Sequence, residues 1–185
     1  MQDGYKNLIT YKLARVAFDL VWDFVPRYYW RFEDSRQRDQ MKQAIRSHKQ
    51  GIVEGSSSRS LSSKLTLYGV AQSSGKEIKE DNEDILRLEG LPLWQKDDPR
   101  LRKLRQVFED DFNPPYPSAG ALLAVLGKKL EGNRRMKKEE VEIVANYLVD
   151  LLARNGYLLD KQIRAVEEKH RTEGGYHERL LKRRL

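Results

Sequence analysis

The chain has 185 residues, enough for one domain or for one domain with an appendage. It contains no cysteine, which excludes disulfides, thiolate metal sites and cysteine nucleophiles. Its formal net charge is +7 and its pI is about 9.5, so polyanions are the expected partners, nucleic acid first and acidic proteins or anionic lipid second. No leader pattern opens the chain and no apolar run is long enough to span a membrane, so a cytoplasmic protein is expected.

Apolar residues at three- and four-residue steps predict three long helices in the first half of the chain, over residues 6–24, 34–53 and 60–88. Pro26 is expected to end the first helix, because proline lacks an amide hydrogen and clashes with the preceding turn. Gly55 is expected to end the second, since glycine accepts the left-handed conformation that closes many helices.

Two polar residues and one group of small residues lie where these helices are expected to meet. His48 lies on the apolar stripe of the second helix, where a half-buried, hydrogen-bonded histidine is expected. Asn155 falls in the apolar seam of the last helix and is expected to fix register. The third helix carries small residues that predict a close approach of another helix: Gly69, Ala71, Ser73, Ser74 and Gly75.

The pattern loosens over residues 90–137, where five prolines interrupt it. Two short helices are predicted in this insert, over residues 99–112 and 118–130. A last long helix follows over residues 138–171. The predicted fold class is therefore all-α: an up-and-down antiparallel four-helix bundle over residues 1–171, with the helical insert between its third and fourth helices and a basic tail at 172–185.

The chain shows no catalytic motif, so neither an enzyme nor a cofactor is expected. One metal-binding alternative stays open, because several carboxylates share a face of the third helix. A divalent ion held there would use Glu77, Asp81 and Asp84 with His170 or His48. The competing interpretation is a solvated acidic face paired with neighbouring lysines.

Clusters of lysine and arginine in the insert, at the start of the last helix and in the tail predict a phosphate-binding surface. The residues expected to bind RNA are Arg100, Arg102, Lys128, Lys129, Arg134, Arg135, Lys137, Lys138, Arg179, Lys182, Arg183 and Arg184. A set of aromatic residues either stacks on unpaired bases or packs beneath the loops: Tyr28, Tyr29, Trp30, Trp94 and Tyr116.

Residues 40–47 (Gln-Met-Lys-Gln-Ala-Ile-Arg-Ser) and 52–55 (Ile-Val-Glu-Gly) resemble the second-helix signature of the four-helix-bundle proteins related to the 23S rRNA intervening-sequence protein. The third helix matches that family's pattern Ala-x-x-Ser-x-x-Glu-Leu at Ala71, Ser74, Glu77 and Ile78. The chain departs from the signature by carrying Lys49 for a common proline, Gly51 for asparagine and Val53 for alanine.

The end of the chain is similar to the variant of this family with a four-helix-bundle suffix domain. The matching runs are 157–163 (Tyr-Leu-Leu-Asp-Lys-Gln-Ile), 173–176 (Glu-Gly-Gly-Tyr) and 178–180 (Glu-Arg-Leu). The resemblance implies an up-and-down bundle that assembles as a ring, commonly a homopentamer. It extends to the accessory variability determinant of diversity-generating retroelements, a basic pentamer that binds RNA and a reverse transcriptase.

The resemblance also implies structural roles for Glu54 and Gly55, as a helix stop, and for Ser74 and Glu77, as an interhelix polar contact. The expected function is a non-enzymatic, basic, oligomeric RNA-binding accessory protein, with a reverse transcriptase as a candidate partner and no membrane partner. The alternative is a protein–protein scaffold whose positive charge is incidental. Reversing the charge of Arg134 and Arg135 is expected to weaken RNA binding and flatten its salt dependence.

Overall fold

The computed structural model describes residues 4–109, 118–130 and 135–173. The regular secondary structure within these ranges is helical and includes no strand, so the predicted all-α class is confirmed for them. A short 3-10 helix, Gly4–Asn7, precedes α1 (Ile9–Tyr28), α2 (Ser35–Ser57), α3 (Leu61–Glu89), α4 (Pro99–Glu109), α5 (Ala119–Val125) and α6 (Lys138–Glu173). Over the described ranges, no helix has an apolar stretch that could cross a bilayer.

The four long helices pack in neighbouring pairs. α1 lies against α2 and α6, and α3 also lies against α2 and α6. Two hydrogen bonds mark these interfaces: Thr10 Oγ1 donates to Gln162 Oε1 of α6 at 3.0 Å, and Ser74 Oγ donates to Ser47 Oγ of α2 at 3.1 Å. Ser74 therefore makes the interhelix contact expected of it, whereas Glu77 is exposed.

The insert shares the core of the long helices. The larger of the two apolar clusters among the described residues contains side chains from α1, α2, α3 and α6. The same cluster takes in buried residues of the 90–137 segment, namely Trp94, Leu101, Leu104, Ala119, Leu122, Leu123 and Met136. The insert therefore buries apolar surface against the bundle helices rather than only against itself.

Helix α1 continues past the proline that was expected to end it. Pro26 lies inside the helix, which runs to Tyr28. The prediction was wrong because a proline in the final turn removes only one backbone hydrogen bond. The next bond is intact, since the Tyr29 amide donates to the Val25 carbonyl at 2.9 Å.

Helix α2 also runs through the glycine that was expected to stop it. The helix ends at Ser57, so both Gly51 and Gly55 are internal and buried. A Cβ at Gly51 would lie 2.8 Å from the Leu67 carbonyl oxygen, and one at Gly55 would lie 2.5 Å from the Tyr68 ring. These glycines are therefore explained by the close approach of α3, and the expected helix stop at Glu54 and Gly55 is incorrect.

Helix α3 has the termini that its sequence favours. The Ser60 side chain accepts a hydrogen bond from the Ser63 amide at the N-terminus. Gly90 follows the C-terminus with a φ of 66°, and the Leu91 amide donates back to the Leu86 carbonyl at 2.8 Å. This arrangement satisfies carbonyls that would otherwise lack donors at the helix end.

The short helices differ from prediction mainly in length. α4 is described only to Glu109, and the remainder of its predicted span lies outside the described residues. α5 ends at Val125, five residues before its predicted end, because Gly127 adopts a φ of 74° and the Lys128 amide donates to the Leu123 carbonyl. α6 begins at Lys138 as predicted, while residues 174–185, most of the predicted tail, lie outside the described residues.

Candidate nucleic-acid interface

Two of the lysines expected to bind RNA are engaged by carboxylates near the start of α6. Lys128 Nζ donates to Glu139 Oε2 at 2.5 Å, and this contact lowers the pKa of Glu139. Lys138 Nζ donates to the Glu89 carbonyl oxygen at 2.8 Å and lies 3.4 Å from Glu89 Oε2. These contacts join α6 to the loop after α5 and to the end of α3. Both lysines therefore have internal partners that a phosphate would have to displace.

Arg100, another predicted RNA contact, is held within the protein by three groups. Its Nε and Nη2 atoms donate to Asp98 at 3.0 and 2.9 Å, and Nη1 donates to Glu142 Oε1 at 3.3 Å. The guanidinium also lies 3.7 Å from the centroid of the Trp94 ring. Trp94 Nε1 donates to the same Glu142 oxygen at 2.7 Å. Arg100 thus stabilises the packing of the insert on α6.

The remaining predicted cations are exposed or fall outside the described residues. Arg102, Lys129 and Lys137 are exposed and form no ion pair with a described carboxylate. Arg135 is exposed and lies near Tyr28, where its charge partly offsets the burial and the Glu89 carboxylate that raise the pKa of that tyrosine. The rest lie outside the described residues: Arg134, Arg179, Lys182, Arg183 and Arg184.

A further arginine of the insert is used in a network that joins α4 to α6. Arg105 Nε donates to Asp150 Oδ2 at 2.9 Å, and its Nη2 also donates to Asp150. Arg154 Nε donates to Asp150 at 2.9 Å, while its two terminal nitrogens contact the two oxygens of Glu109 at 2.5 and 2.6 Å. Tyr147 Oη donates to Glu109 Oε1 at 2.9 Å. Some of the arginines of the insert therefore stabilise the packing of α4 on α6 through ion pairs.

A second group of cations, not singled out by the sequence analysis, lies along α1 and α2. We define the α1–α2 basic face by Arg15, Phe18, Asp19 and Trp22 of α1 and by Lys42, Arg46 and Lys49 of α2. The signal was available in the sequence, because Lys42, Arg46 and Lys49 stand at i, i+4 and i+7 on one side of a helix. It was missed because these cations are spread through a helix rather than clustered in a run.

The two aromatic rings of the α1–α2 basic face are each covered by a lysine. Lys42 Nζ lies 4.7 Å from the centroid of the Trp22 ring, and Lys49 Nζ lies 3.4 Å from the centroid of Phe18. The Phe18 and Trp22 centroids are 5.5 Å apart, with their planes inclined at 36°. Trp22 is 45 % exposed, so part of its indole is open to solvent.

Electrostatic repulsion is evident on the α1–α2 basic face. Burial lowers the pKa of Lys49, and the nearby charges of Arg15 and Arg46 lower it further, while Asp19 opposes them. Asp19 Oδ2 lies 3.9 Å from Arg15 Nε, yet burial raises the pKa of Asp19. Lys42, Arg46 and Lys49 make no ion pair with a carboxylate in the part of the chain that the structure describes. The face therefore carries an excess of positive charge.

Most of the aromatic residues considered for base stacking have packing roles instead. Tyr28 and Tyr29 are half-buried and pack on the larger apolar cluster, and Trp94 belongs to that cluster. Trp30 is 53 % exposed, with the Arg31 guanidinium 5.5 Å from its ring centroid. Tyr116 lies outside the described residues. Trp22, which was not in the predicted set, is exposed and lies beneath Lys42, a cation that has no carboxylate partner among the described residues.

His48 is buried, with both ring nitrogens hydrogen-bonded. Nδ1 donates to the Ala71 carbonyl at 2.6 Å, since a carbonyl can only accept, and Nε2 accepts from Asn155 Nδ2 at 2.8 Å. Burial lowers the pKa of His48. A groove of about 440 Å³ lies beside it between α3 and α6, with Lys76 and Gly156 in its lining. His48 therefore has no nitrogen lone pair free for a ligand in that groove.

The geometry gives no support to the metal-binding alternative. Within residues 4–109, 118–130 and 135–173, no three His, Asp or Glu side chains lie close enough together to bind a metal ion. The acidic face of α3 is instead partly paired with neighbouring lysines, as the competing interpretation expected: Lys76 Nζ lies 3.7 Å from Glu80 Oε1, and Lys79 Nζ lies 2.6 Å from Glu83 Oε1. Burial, together with Glu77, Asp84 and Glu80, raises the pKa of Asp81 to about 6.

Neither a protein-family model, nor a curated protein, nor a solved structure matches this chain.

Proposed function

We propose that this protein is a non-enzymatic, oligomeric RNA-binding accessory protein. The observation that supports the proposal best is an excess of exposed or half-exposed cations with no carboxylate partner among the described residues. They include Lys42, Arg46 and Lys129. A cation without a carboxylate partner keeps its solvent counterions in the free protein, so it is available to neutralise a phosphate.

The proposal extends to the architecture and partners that the sequence resemblance implies. The four long helices are proposed to form an up-and-down antiparallel bundle, and several copies are proposed to form a ring, commonly of five. Ring formation would multiply weak phosphate contacts by raising their effective concentration. A reverse transcriptase is the proposed protein partner. Native mass spectrometry of the purified protein tests the oligomer directly, since a monomer at all concentrations would contradict it.

RNA binding is tested by fluorescence anisotropy of the full-length protein with labelled single-stranded RNA, structured RNA and DNA across a salt series. For single strands, the logarithm of the association constant is expected to fall with the logarithm of salt concentration, by about 0.7 for each phosphate neutralised. Affinity that does not change with salt, or no binding at the lowest salt, would contradict the proposal.

A second candidate, a protein–protein scaffold, is favoured by a groove bordered by α1, α4 and α6. The groove has a volume of about 590 Å³, and its lining combines apolar residues (Ile9, Leu13, Tyr157 and Leu158) with polar ones (Arg105, Gln106, Glu109 and Arg154). Ile9 is 56 % exposed and Tyr157 60 % exposed, which is unusual for large apolar side chains that lie side by side. The salt series separates the candidates, because a scaffold with incidental charge is expected to bind RNA only non-specifically, with a Kd no tighter than about 10⁻⁴–10⁻⁶ M at physiological salt.

A further inference from the structure

We propose that the α1–α2 basic face binds single-stranded RNA, with Trp22 stacking on a base and with Lys42, Arg46 and Lys49 contacting the adjoining phosphates. The inference rests on the proposed function and deepens it, because it names both the nucleic-acid form and the residues that bind it. It also moves the principal contact away from the insert and the tail, which the sequence favoured.

The helical spacing places all the required groups on one strip of surface. Arg15, Phe18 and Trp22 stand at i, i+3 and i+7 of α1, and the three cations of α2 stand at i, i+4 and i+7. Seven residues of helix extend about 10 Å, so each row is long enough to follow a short run of nucleotides. The contacts between Lys42 and Trp22 and between Lys49 and Phe18 show that the two rows adjoin.

The relative strengths of the two contacts favour replacement of Lys42 by a nucleobase on the Trp22 ring. A nucleobase stacked on an aromatic side chain stabilises a complex more strongly than an ammonium stabilises its contact with an exposed aromatic ring. Lys42 has a flexible four-carbon stem, so it can leave the Trp22 ring and move to the neighbouring phosphate without a change in the backbone. Stacking then replaces the weaker contact, and the cation gains a stronger partner.

The combination of an indole with unpaired cations favours a single strand over other polyanions. In duplex RNA the bases are already stacked on one another, so Trp22 would contribute nothing to binding. An acidic polypeptide could neutralise the cations, but it offers no comparable ring to stack on Trp22. The predicted difference between these partners is therefore the dependence of affinity on Trp22.

The test uses the full-length protein and a fluorescein-labelled single-stranded oligouridylate. Lys42→Glu/Arg46→Glu removes two cations from the α1–α2 basic face, and Trp22→Ala removes the indole. The matched control is Arg102→Glu/Lys103→Glu, which makes the same change in charge on the exposed side of α4. Because all five positions are exposed or half-exposed, the variants are expected to fold, and circular dichroism with thermal unfolding verifies this.

We expect the Lys42/Arg46 variant to lose at least about tenfold in affinity and to reduce the salt slope by about 1.4, the value for two phosphate contacts to a single strand. Trp22→Ala is expected to lose about fivefold or more, the weaker end of the range for one stacked base, with little change in the salt slope. The Arg102/Lys103 control is expected to lose less than the Lys42/Arg46 variant at every salt concentration. Trp22→Phe, which keeps an aromatic face, is expected to recover part of the affinity.

Several outcomes would overturn the inference while leaving RNA binding intact. One is equal loss of affinity in the α4 control and in the Lys42/Arg46 variant. A second is a Trp22→Ala variant that binds the single strand as tightly as the wild type does, and a third is duplex RNA bound as tightly as the single strand. A fourth is polyglutamate that displaces the RNA at equal charge and whose own affinity falls by the same factor in Trp22→Ala. Absence of any nucleic-acid binding by the wild type would instead overturn the proposed function as well.

Discussion

At the scale of single residues, two glycines of α3 differ: the packing around Gly75 requires a glycine, whereas the packing around Gly69 does not. A Cβ at Gly75 would lie 2.7 Å from both Nδ1 and Cε1 of His48. That ring is fixed by hydrogen bonds to Ala71 and Asn155, so it cannot move aside without breaking one of them. At Gly69 nothing lies within 4 Å of the added carbon. The two positions have the same residue type and the same helical backbone but opposite steric environments.

Gly75→Ala is therefore expected to lower the free energy of unfolding by about 2 kcal/mol, within the range for overpacking of a filled core. Gly69→Ala is expected to raise it by about 0.5–1 kcal/mol, because alanine is the better helix former. Urea denaturation measures both values. A Gly75→Ala variant at least as stable as the wild type would contradict the close approach of His48 to α3.

The environment of His48 could be predicted only in outline. Its position on an apolar stripe indicates a hydrogen-bonded histidine, and the structure confirms the hydrogen bonding while burying the ring more completely than expected. Its partner Asn155 stands more than a hundred positions later in the chain. Local periodicity carries no information about such a pairing, because it is created when α2 and α6 are brought together.

At the scale of helices, most helix starts could be predicted from the sequence, but the end of α2 could not. Ser60 and Gly90 delimit α3 because a serine cap and a left-handed glycine act on adjacent backbone groups. Gly55 has the same local signature as Gly90, yet it lies inside α2 against Tyr68. A glycine indicates either a helix end or a close contact, and only the neighbouring helix distinguishes the two.

The candidate site was less predictable than the helices, for the same reason. Lys138 and Arg100 were expected to contact RNA because they lie in basic segments. Folding places Glu89 beside Lys138 and Glu142 beside Arg100, although both carboxylates are distant from them in sequence. The number of lysines and arginines can be read from a sequence, but whether each has an acidic partner depends on tertiary contacts.

The acidic face of α3 predicts a pH dependence of stability. The folded protein binds a proton at Asp81 more tightly than the unfolded chain does, since burial and three neighbouring carboxylates raise its pKa from 3.8 to about 6. This contribution to stability is fully present below pH 3.8 and is lost as the pH rises through about 6. Asp81→Asn, which cannot ionise, is therefore expected to be more stable than wild type above that range and to lose the advantage on acidification.

Thermal unfolding across that pH range measures the effect, with the difference in midpoint between variant and wild type as the readout. Glu167→Gln is the control, because it removes one negative charge from an exposed position on α6. Its difference from wild type is expected to stay small at every pH. An Asp81→Asn variant whose advantage does not grow with pH would contradict the raised pKa that burial and the neighbouring carboxylates give Asp81.

At the scale of the whole molecule, the insert and the long helices share one core cluster and one buried ion network. Leu101 and Leu104 of α4 are buried among side chains of α6 and the other long helices. Asp150 of α6, with a side chain only 7 % exposed, contacts both Arg105 of α4 and Arg154 of its own helix. Releasing α4 would expose those leucines and also leave a buried carboxylate without one of its partners.

Asp150→Ala is accordingly expected to lower the free energy of unfolding by about 3 kcal/mol, at the lower end of the range for breaking a buried ion pair because the arginines are partly exposed. Asp160→Ala is the control, since Asp160 also pairs with an arginine of α6 but at the surface, where about 0.5 kcal/mol or less is expected. Hydrogen exchange of the Asp150 variant is expected to accelerate in α4 and in α1–α3 together. Fast exchange confined to α4, with wild-type protection in α1–α3, would show instead that the insert opens separately from the long helices.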